Sequence, residues 1–132
     1  MNQKFIELKL NIKPYDIDIA RHVNNIVYIK WFEQLRTKLF NNYFNLQDLL
    51  SNNLYPVVIS TNITYKKSLN LFDKPLGIIN LVCYNHGIIT LKIEIKLEEK
   101  IAAFGEQKCV LMNLITGKMI KDKLRLISAD IV

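Results

Sequence analysis

Residues 14–36 read PYDIDIARHVNNIVYIKWFEQLR, and this stretch passes from a polar segment into an apolar pattern. Apolar residues recur at helical spacing from residue 25 to residue 40, which predicts a helix there. Asn24 or Asn25 is expected to cap it, because an asparagine oxygen can accept from an unpaired amide of the first turn. The helix is apolar around most of its circumference, so it should be largely enclosed. The main stripe comprises Tyr28, Trp31, Phe32, Leu35 and Leu39, and the apolar residues outside it are Ile26, Val27 and Ile29.

Strict alternation of apolar and polar side chains from residue 6 to residue 13 predicts a half-buried strand before this helix. Four more strands are predicted after the helix, with short links between the last three. This indicates an antiparallel meander with one solvent-exposed face. Gly105 is expected to mark a bulge or bend in the last strand. The later strands cover residues 57–65, 76–84, 89–98 and 101–114.

The connections carry turn chemistry. Asn85 and Gly87 predict a hairpin turn between two strands. Asn41-Asn42 is expected to end the long helix, and a short second helix is predicted at residues 46–51. Residues 123–127 fit either a strand or a helix. One enclosed helix with an antiparallel sheet is an α+β architecture.

The chain has 132 residues, half of them hydrophobic and 23% charged, which predicts a single folded domain over residues 1–132. No segment approaches the roughly 20 apolar residues needed to span a bilayer, and the first residues lack a signal-peptide pattern. Cys83 and Cys109 fall in strand-like runs far apart, so both are interpreted as reduced core thiols. These features predict a cytoplasmic protein.

A net charge of +6 favours an anionic partner. The basic residues are scattered, however, with Lys66-Lys67 the only adjacent pair, and no nucleic-acid-binding motif is present. A small phosphorylated ligand would use the same charge more economically, although charge alone does not choose between the two. With no supporting motif, no nucleic-acid partner is expected. Patterns typical of serine hydrolases, of zinc sites and of nucleotide-binding loops are also missing from the sequence.

The stretch quoted above resembles the signature of hotdog-fold acyl-CoA thioesterases of the 4-hydroxybenzoyl-CoA thioesterase-like family. In that family a strand leads into a D-x-D-x-x-(G)-H/V-V-x-N-x-x-Y segment that opens the long central helix. The resemblance extends more loosely over most of the chain. It implies a curved antiparallel sheet wrapped around one helix and hydrolysis of acyl-CoA. The matching residues are Asp16, Asp18, Val23, Asn25, Tyr28, Phe32, Glu33 and Arg36.

The resemblance identifies Asp18 as the catalytic carboxylate, acting as general base or as nucleophile. Backbone amides at the start of the helix, at residues 24–27, would polarise the thioester carbonyl with help from the helix dipole. His22 is expected to support this chemistry and Asp16 to be structural. No metal or redox cofactor is implied, and coenzyme A enters only as part of the substrate. The implied catalytic residues are Asp18, His22 and Asn25, and the implied substrate-binding residues are Asn24, Tyr28, Glu33, Lys66 and Lys67.

Several alternatives stay open. Glu33 either orients water or substrate across a subunit boundary or is an exposed or paired helix glutamate, with Arg36 as its ion-pair or packing neighbour. Lys66 and Lys67 either hold CoA phosphates or form a solvated strand end. Arg21 stands where many relatives have glycine. The segment also resembles acyl-carrier-protein thioesterases, but Ala20 replaces the asparagine of their Asp-x-Asn-x-His trio. The family implies a homodimer or homotetramer, and the rival hypothesis is a non-catalytic module that binds acyl thioesters.

Overall fold

The computed structural model describes residues 5–120. After a first strand and a short 3₁₀ turn, Pro14–Asp16, come two helices and then four more strands. The ambiguous segment at residues 123–127 lies outside the described residues. The elements are β1 (Phe5–Lys9), α1 (Asn25–Tyr43), α2 (Leu46–Ser51), β2 (Leu54–Tyr65), β3 (Leu76–Asn85), β4 (Ile88–Leu97) and β5 (Lys100–Asn113).

The five strands form one antiparallel sheet in the order β1-β3-β4-β5-β2. The inner face of β4 supplies buried isoleucines and a leucine, and its outer face carries Thr90, Lys92, Glu94 and Lys96. This alternation confirms the predicted meander, with one face of the sheet on the core. Three register shifts interrupt the ladders, after Val58, Leu81 and Ile95. Such bulges bend a strand and increase its twist, so they help the sheet to curve.

Helix α1 packs against the inner face of the sheet at two glycines. A β-carbon on Gly77 would lie 2.8 Å from a methyl group of Leu35, and one on Gly105 would lie 3.0 Å from the ring of Phe32. The bulge expected at Gly105 is wrong, because Gly105 stays in register with Ile63 and Ile93. Its lack of a side chain serves the close approach of the helix instead.

Helix α1 continues through Asn41-Asn42 to Tyr43, three residues beyond the predicted end. Phe40, Tyr43 and Phe44 are all buried, and the rings of Phe40 and Phe44 lie 5.1 Å apart. Burial of this aromatic group outweighs the low helix propensity of two asparagines. The expected enclosure of the helix is also incomplete, since Ile26 and Ile29 remain 61% and 50% exposed.

The two cysteines differ. Cys109 is buried on the inner face of β5, as expected, and burial raises its thiol pKa to about 11. Cys83 is exposed, so its assignment to the core is wrong. The reason is the bulge at Val82, after which Cys83 pairs with Thr90 and faces the outside of the sheet.

The remaining connections behave as predicted. The turn between β3 and β4 places His86 and Gly87 at φ of 51° and 81°. Two consecutive left-handed residues make the tight turn that matches the twist of a hairpin. Within residues 5–120, no helix is both long enough and apolar enough to cross a lipid bilayer.

Candidate active site

The polar segment before α1 folds into a tight β-hairpin. Ile17 and Val23 form an isolated antiparallel bridge, the amide of Asp18 donates to the carbonyl of His22 at 3.0 Å, and the amide of Arg21 donates to the carbonyl of Asp18 at 2.9 Å. These bonds define a type I turn followed by a one-residue bulge. The bulge residue needs a left-handed backbone, and Arg21 has φ of 67°. That requirement gives a physical reason for glycine at this position in relatives.

Asp18 sits at the base of this hairpin and keeps one carboxylate oxygen available. Its Oδ1 accepts a hydrogen bond from the amide of Ala20 at 2.9 Å. Its Oδ2 has no hydrogen-bond partner among residues 5–120. The side chain is half-buried. Asp18 is therefore held by one oxygen and presents the other to a substrate or a water molecule.

Asp16 anchors the hairpin from the other side. Its side chain is buried, and its Oδ2 accepts from the amide of Lys13 at 2.9 Å. Its carbonyl accepts from the amide of Asn24 at 2.8 Å, and the amide of Val23 donates to the carbonyl of Leu69 at 2.9 Å. These contacts fit the structural part predicted for Asp16, because they fix the hairpin to the start of α1.

The start of α1 leaves one amide without a partner. Asn24 caps the helix, since its Oδ1 accepts from the amide of Ile26 at 3.1 Å. The carbonyl of Asn24 accepts from the amide of Val27 at 2.9 Å. Among the four amides at residues 24–27, only that of Asn25 makes no hydrogen bond within the described part of the chain.

The direction of the Asn25 N–H follows from peptide planarity. The Asn25 N–H and the Asn24 carbonyl belong to the same peptide unit and point in opposite directions. Because that carbonyl points into the helix toward Val27, the N–H points out of the helix N-terminus. The dipole of the 19-residue helix adds positive potential at the same place.

A cavity of about 240 Å³ opens at this place. Six of the eight site residues that the sequence predicted line this cavity. The nominated residues that line it are Asp18, His22, Asn25, Tyr28, Lys66 and Lys67. Tyr65 and Ser68 also line it, and neither belongs to the predicted site. A signal for Tyr65 was present, because it directly precedes Lys66 at the end of β2.

Two nominated residues lie elsewhere. Asn24 does not line the cavity, and its side chain is used as the helix cap. Glu33 is exposed in a separate groove beside α1. This matches the alternative of an exposed helix glutamate. An ion pair with Arg36 is wrong, because the Nη1 of Arg36 donates to the Oε1 of Gln107 at 2.8 Å and Glu33 forms no ion pair within residues 5–120.

Two tyrosines form the aromatic wall of the cavity. The rings of Tyr28 and Tyr65 meet edge to face with centroids 5.1 Å apart, and Tyr28 meets Trp31 in the same way at 5.2 Å. Burial, with a further contribution from Tyr65, raises the pKa of Tyr28 to about 12, and burial also raises the pKa of Tyr65. Both hydroxyls therefore stay protonated at neutral pH.

Lys66 and Lys67 lie at the mouth of the cavity, immediately after β2. Their amides both donate to the carbonyl of Ala102, at 2.8 and 3.0 Å. The ammonium of Lys66 lies 5.9 Å from the centre of the Phe104 ring, a cation–π distance. The ammonium of Lys67 has no such contact among the residues described. No group of three or more metal-ligating side chains occurs within residues 5–120.

Comparison with known proteins places this architecture in a family. The family model of the thioesterase-like superfamily matches residues 12–127. The long-chain acyl-CoA thioesterase FadM of Escherichia coli is 26% identical over 115 residues, which are 86% of this chain and 87% of that protein. The crystal structure of YbaW, a probable thioesterase from Escherichia coli, is 26% identical, with a TM-score of 0.77 over 89% of both chains.

A hypothetical protein from Staphylococcus aureus, solved in complex with CoA, has a TM-score of 0.83 over 93% of this chain and 79% of its own. At 15% identity it supports the fold alone. The sheet order, the single long helix and the family match agree with one another. The chain belongs to the thioesterase-like superfamily, and it is a hotdog-fold thioesterase.

Proposed function

We propose that this enzyme hydrolyses acyl-CoA to a free acid and CoA, with Asp18 as the catalytic carboxylate and the Asn25 amide as the oxyanion donor. One observation carries the proposal: Asp18, which has a carboxylate oxygen without a partner among residues 5–120, and Asn25, whose amide has none there either, line the same cavity. The name of FadM, a long-chain acyl-CoA thioesterase, supports acyl-CoA as the substrate class.

The reaction needs two groups at one carbonyl. The thioester oxygen would accept a hydrogen bond from the Asn25 N–H, which stabilises the negative charge that develops on it. Asp18 would take a proton from water as the resulting hydroxide adds to the carbonyl carbon. The carbon–sulfur bond then breaks, and the thiolate of CoA leaves and takes up the proton. Direct attack by Asp18 would instead give a mixed anhydride, which water hydrolyses to the same products.

His22 and Tyr28 contribute to the surroundings of this carbonyl. His22 lines the cavity, although its side chain is exposed, and its carbonyl holds the amide of Asp18 at 3.0 Å. We assign it a supporting part, because that backbone bond already orients the catalytic residue. Tyr28 supplies an aromatic surface beside Asn25.

The phosphates of CoA would bind at the lysine pair. Lys66 and Lys67 line the cavity mouth, and a lysine ammonium is a common partner for phosphate. Lys67 is the stronger candidate, since Lys66 has the ring of Phe104 as a competing partner. We expect truncation of Lys67 to raise the KM for acyl-CoA more than it lowers kcat.

A second copy of the chain would complete the assembly. Strand β2 lies at one edge of the sheet, and an unpaired edge readily accepts another strand. Ile59 on β2 is 51% exposed, and Ile26 and Ile29 on α1 are exposed as well. We propose a homodimer through this edge, alone or as half of a tetramer.

The dimer can be tested with a matched pair of variants. Ile59 and Val82 are both the extra residue of a bulge, and they are 51% and 50% exposed. Ile59→Lys should therefore halve the mass measured by light scattering, from dimer to monomer or from tetramer to dimer, whereas Val82→Lys should leave it unchanged. An unaltered mass for Ile59→Lys would contradict dimerisation through β2.

Asp18→Asn tests the catalytic assignment. Thiol release should be followed with acetyl-, octanoyl-, palmitoyl- and benzoyl-CoA, with and without EDTA. We expect kcat to fall by about 10²-fold or more in the variant, and EDTA to have no effect because no step uses a metal ion. Asp73→Asn is the matched control, since Asp73 is a half-buried loop aspartate whose Oδ2 accepts from the amide of Asn70 at 2.8 Å.

The outcomes separate the remaining alternatives. Activity in Asp18→Asn equal to the wild type would remove Asp18 from the reaction. Wild-type turnover of acyl-carrier-protein thioesters but not of acyl-CoA would change the thiol carrier. Binding of acyl-CoA without turnover of either substrate would leave a binding module. The cytoplasmic location stays a prediction.

A further inference from the structure

We propose that Tyr65 is a positioning residue that holds the Asn25 backbone in the orientation needed to polarise the substrate carbonyl. The inference rests on the proposed function of the same site. Tyr65 is the last residue of β2, and its hydroxyl donates to the carbonyl of Asn25 at 3.4 Å. It is the contact by which the sheet edge reaches the first residue of α1.

The two peptide units that flank the Asn25 Cα are held in different ways. The preceding unit, which contains the Asn25 N–H, is fixed through the Asn24 carbonyl and the amide of Val27. The following unit contains the Asn25 carbonyl, to which Tyr65 donates. A carbonyl oxygen has two lone pairs, so it can accept this bond in addition to the helical one. Restraint on both units fixes φ and ψ of Asn25, and with them the direction of its N–H.

The ring of Tyr65 is itself held in place. It packs edge to face on Tyr28, whose side chain is only 3% exposed and which packs in turn on Trp31. Aromatic pairs of this geometry are directional, so the Tyr65 hydroxyl has a defined position. A tyrosine hydroxyl is protonated near neutral pH at its ordinary pKa, so it can donate there, and burial raises the pKa of Tyr65 further.

A role limited to stability fits Tyr65 poorly. The side chain is 43% exposed, and its hydroxyl makes a single bond in the described part of the chain, at the cavity. Replacing Tyr65 by phenylalanine removes that bond and keeps the ring on Tyr28. The melting temperature should therefore stay close to the wild-type value while the active site changes.

The control comes from the same strand. Tyr55 is 41% exposed at the other end of β2 and does not line the cavity. Tyr65→Phe should lower kcat about 3- to 10-fold, with KM within about twofold, because one hydrogen bond of modest strength is lost. Tyr55→Phe should match the wild type in both constants.

A spectroscopic measurement distinguishes positioning from a general loss of activity. The probe is a ketone analogue of palmitoyl-CoA with methylene in place of sulfur and ¹³C at the carbonyl, which cannot be hydrolysed. Bound to the wild type or to Tyr55→Phe, its carbonyl stretch should shift to lower frequency, since a hydrogen bond to the oxygen weakens the C=O bond. Bound to Tyr65→Phe, it should shift less.

Each outcome decides the proposal. A smaller frequency shift and a lower kcat in Tyr65→Phe support positioning. A full shift in Tyr65→Phe refutes it, even if Asp18→Asn abolishes turnover as proposed. Binding of the analogue by a wild type that does not hydrolyse thioesters would refute catalysis alone, and the shift would still test Tyr65. Failure of the wild type to bind this palmitoyl analogue would refute the positioning proposal for a long-chain substrate, and the acyl-CoA panel would still decide the proposed hydrolysis.

Discussion

Replacing Arg21 by glycine should make this protein more stable, although the change removes a large side chain. Arg21 occupies the bulge position of the hairpin that carries Asp18, with φ of 67°. Its amide is bonded to the Asp18 carbonyl at 2.9 Å, so the loop cannot relax to another backbone shape without losing that bond. The side chain is exposed and contributes little burial.

The size of the effect follows from two opposing contributions. A left-handed backbone costs a residue with a β-carbon roughly 1–2 kcal/mol, and glycine escapes that cost. Glycine in turn loses about 0.4–1 kcal/mol through the greater entropy of its unfolded chain. The difference between the two spans about 0–1.6 kcal/mol. Its midpoint of about 0.8 kcal/mol corresponds, for a chain of 132 residues, to a rise of about 3 °C in melting temperature.

Thermal unfolding followed by circular dichroism, at one fixed protein concentration, measures this gain. Arg21→Ala is the matched control, because it removes the same charge and keeps the β-carbon. It should gain no more than a small part of the increase seen with glycine. Equal melting temperatures for Arg21→Gly and Arg21→Ala would refute the argument from backbone strain.

Two further predictions concern the core. Gly105→Ala should lower the free energy of unfolding, measured by urea titration, by about 3 kcal/mol or more. The reason is that the new β-carbon would lie 2.1 Å from the backbone oxygen of Asn62 and 3.0 Å from the ring of Phe32. A loss below about 1 kcal/mol would contradict this close approach. In the native protein at pH 8, Cys83 should react with a disulfide reagent and Cys109 should not. Cys109 is buried, and its thiol pKa is about 11. Two rapidly reacting thiols before denaturant is added would contradict the assigned burial.

Periodicity was enough to locate α1 and the five strands, although not their ends: β1 stops at Lys9 and not at residue 13, and the 3₁₀ turn Pro14–Asp16 was not predicted. The alternation in β4 and the helical stripe of α1 are local properties, because they depend only on which side chains must face one core. The Asn24 cap was also within reach of the sequence, since capping involves neighbours two or three residues away. The same holds for the hairpin turn at His86-Gly87.

The structural predictions that proved wrong concern residues at which contacts distant in sequence override a local pattern. Helix α1 passes Asn41-Asn42 because Phe40 and Phe44 are buried by the fold. Cys83 faces outward because an unpredicted bulge at Val82 reverses the alternation. Gly105 serves helix packing, because the ring of Phe32 comes from an element more than 60 residues earlier in the chain.

The candidate site likewise combines features that the sequence predicts with features that depend on distant contacts. The sequence by itself determined that a carboxylate at Asp18 directly precedes a helix N-terminus, because both features lie within one short stretch. Only the tertiary structure decided that the Asn25 amide has no partner among residues 5–120, that Arg21 is left-handed and that Tyr65 reaches Asn25 from the end of β2. Those three facts depend on how the hairpin, the helix and the sheet edge meet. Hydrogen bonds between elements distant in sequence produce no periodic pattern of residues, so the sequence did not predict them.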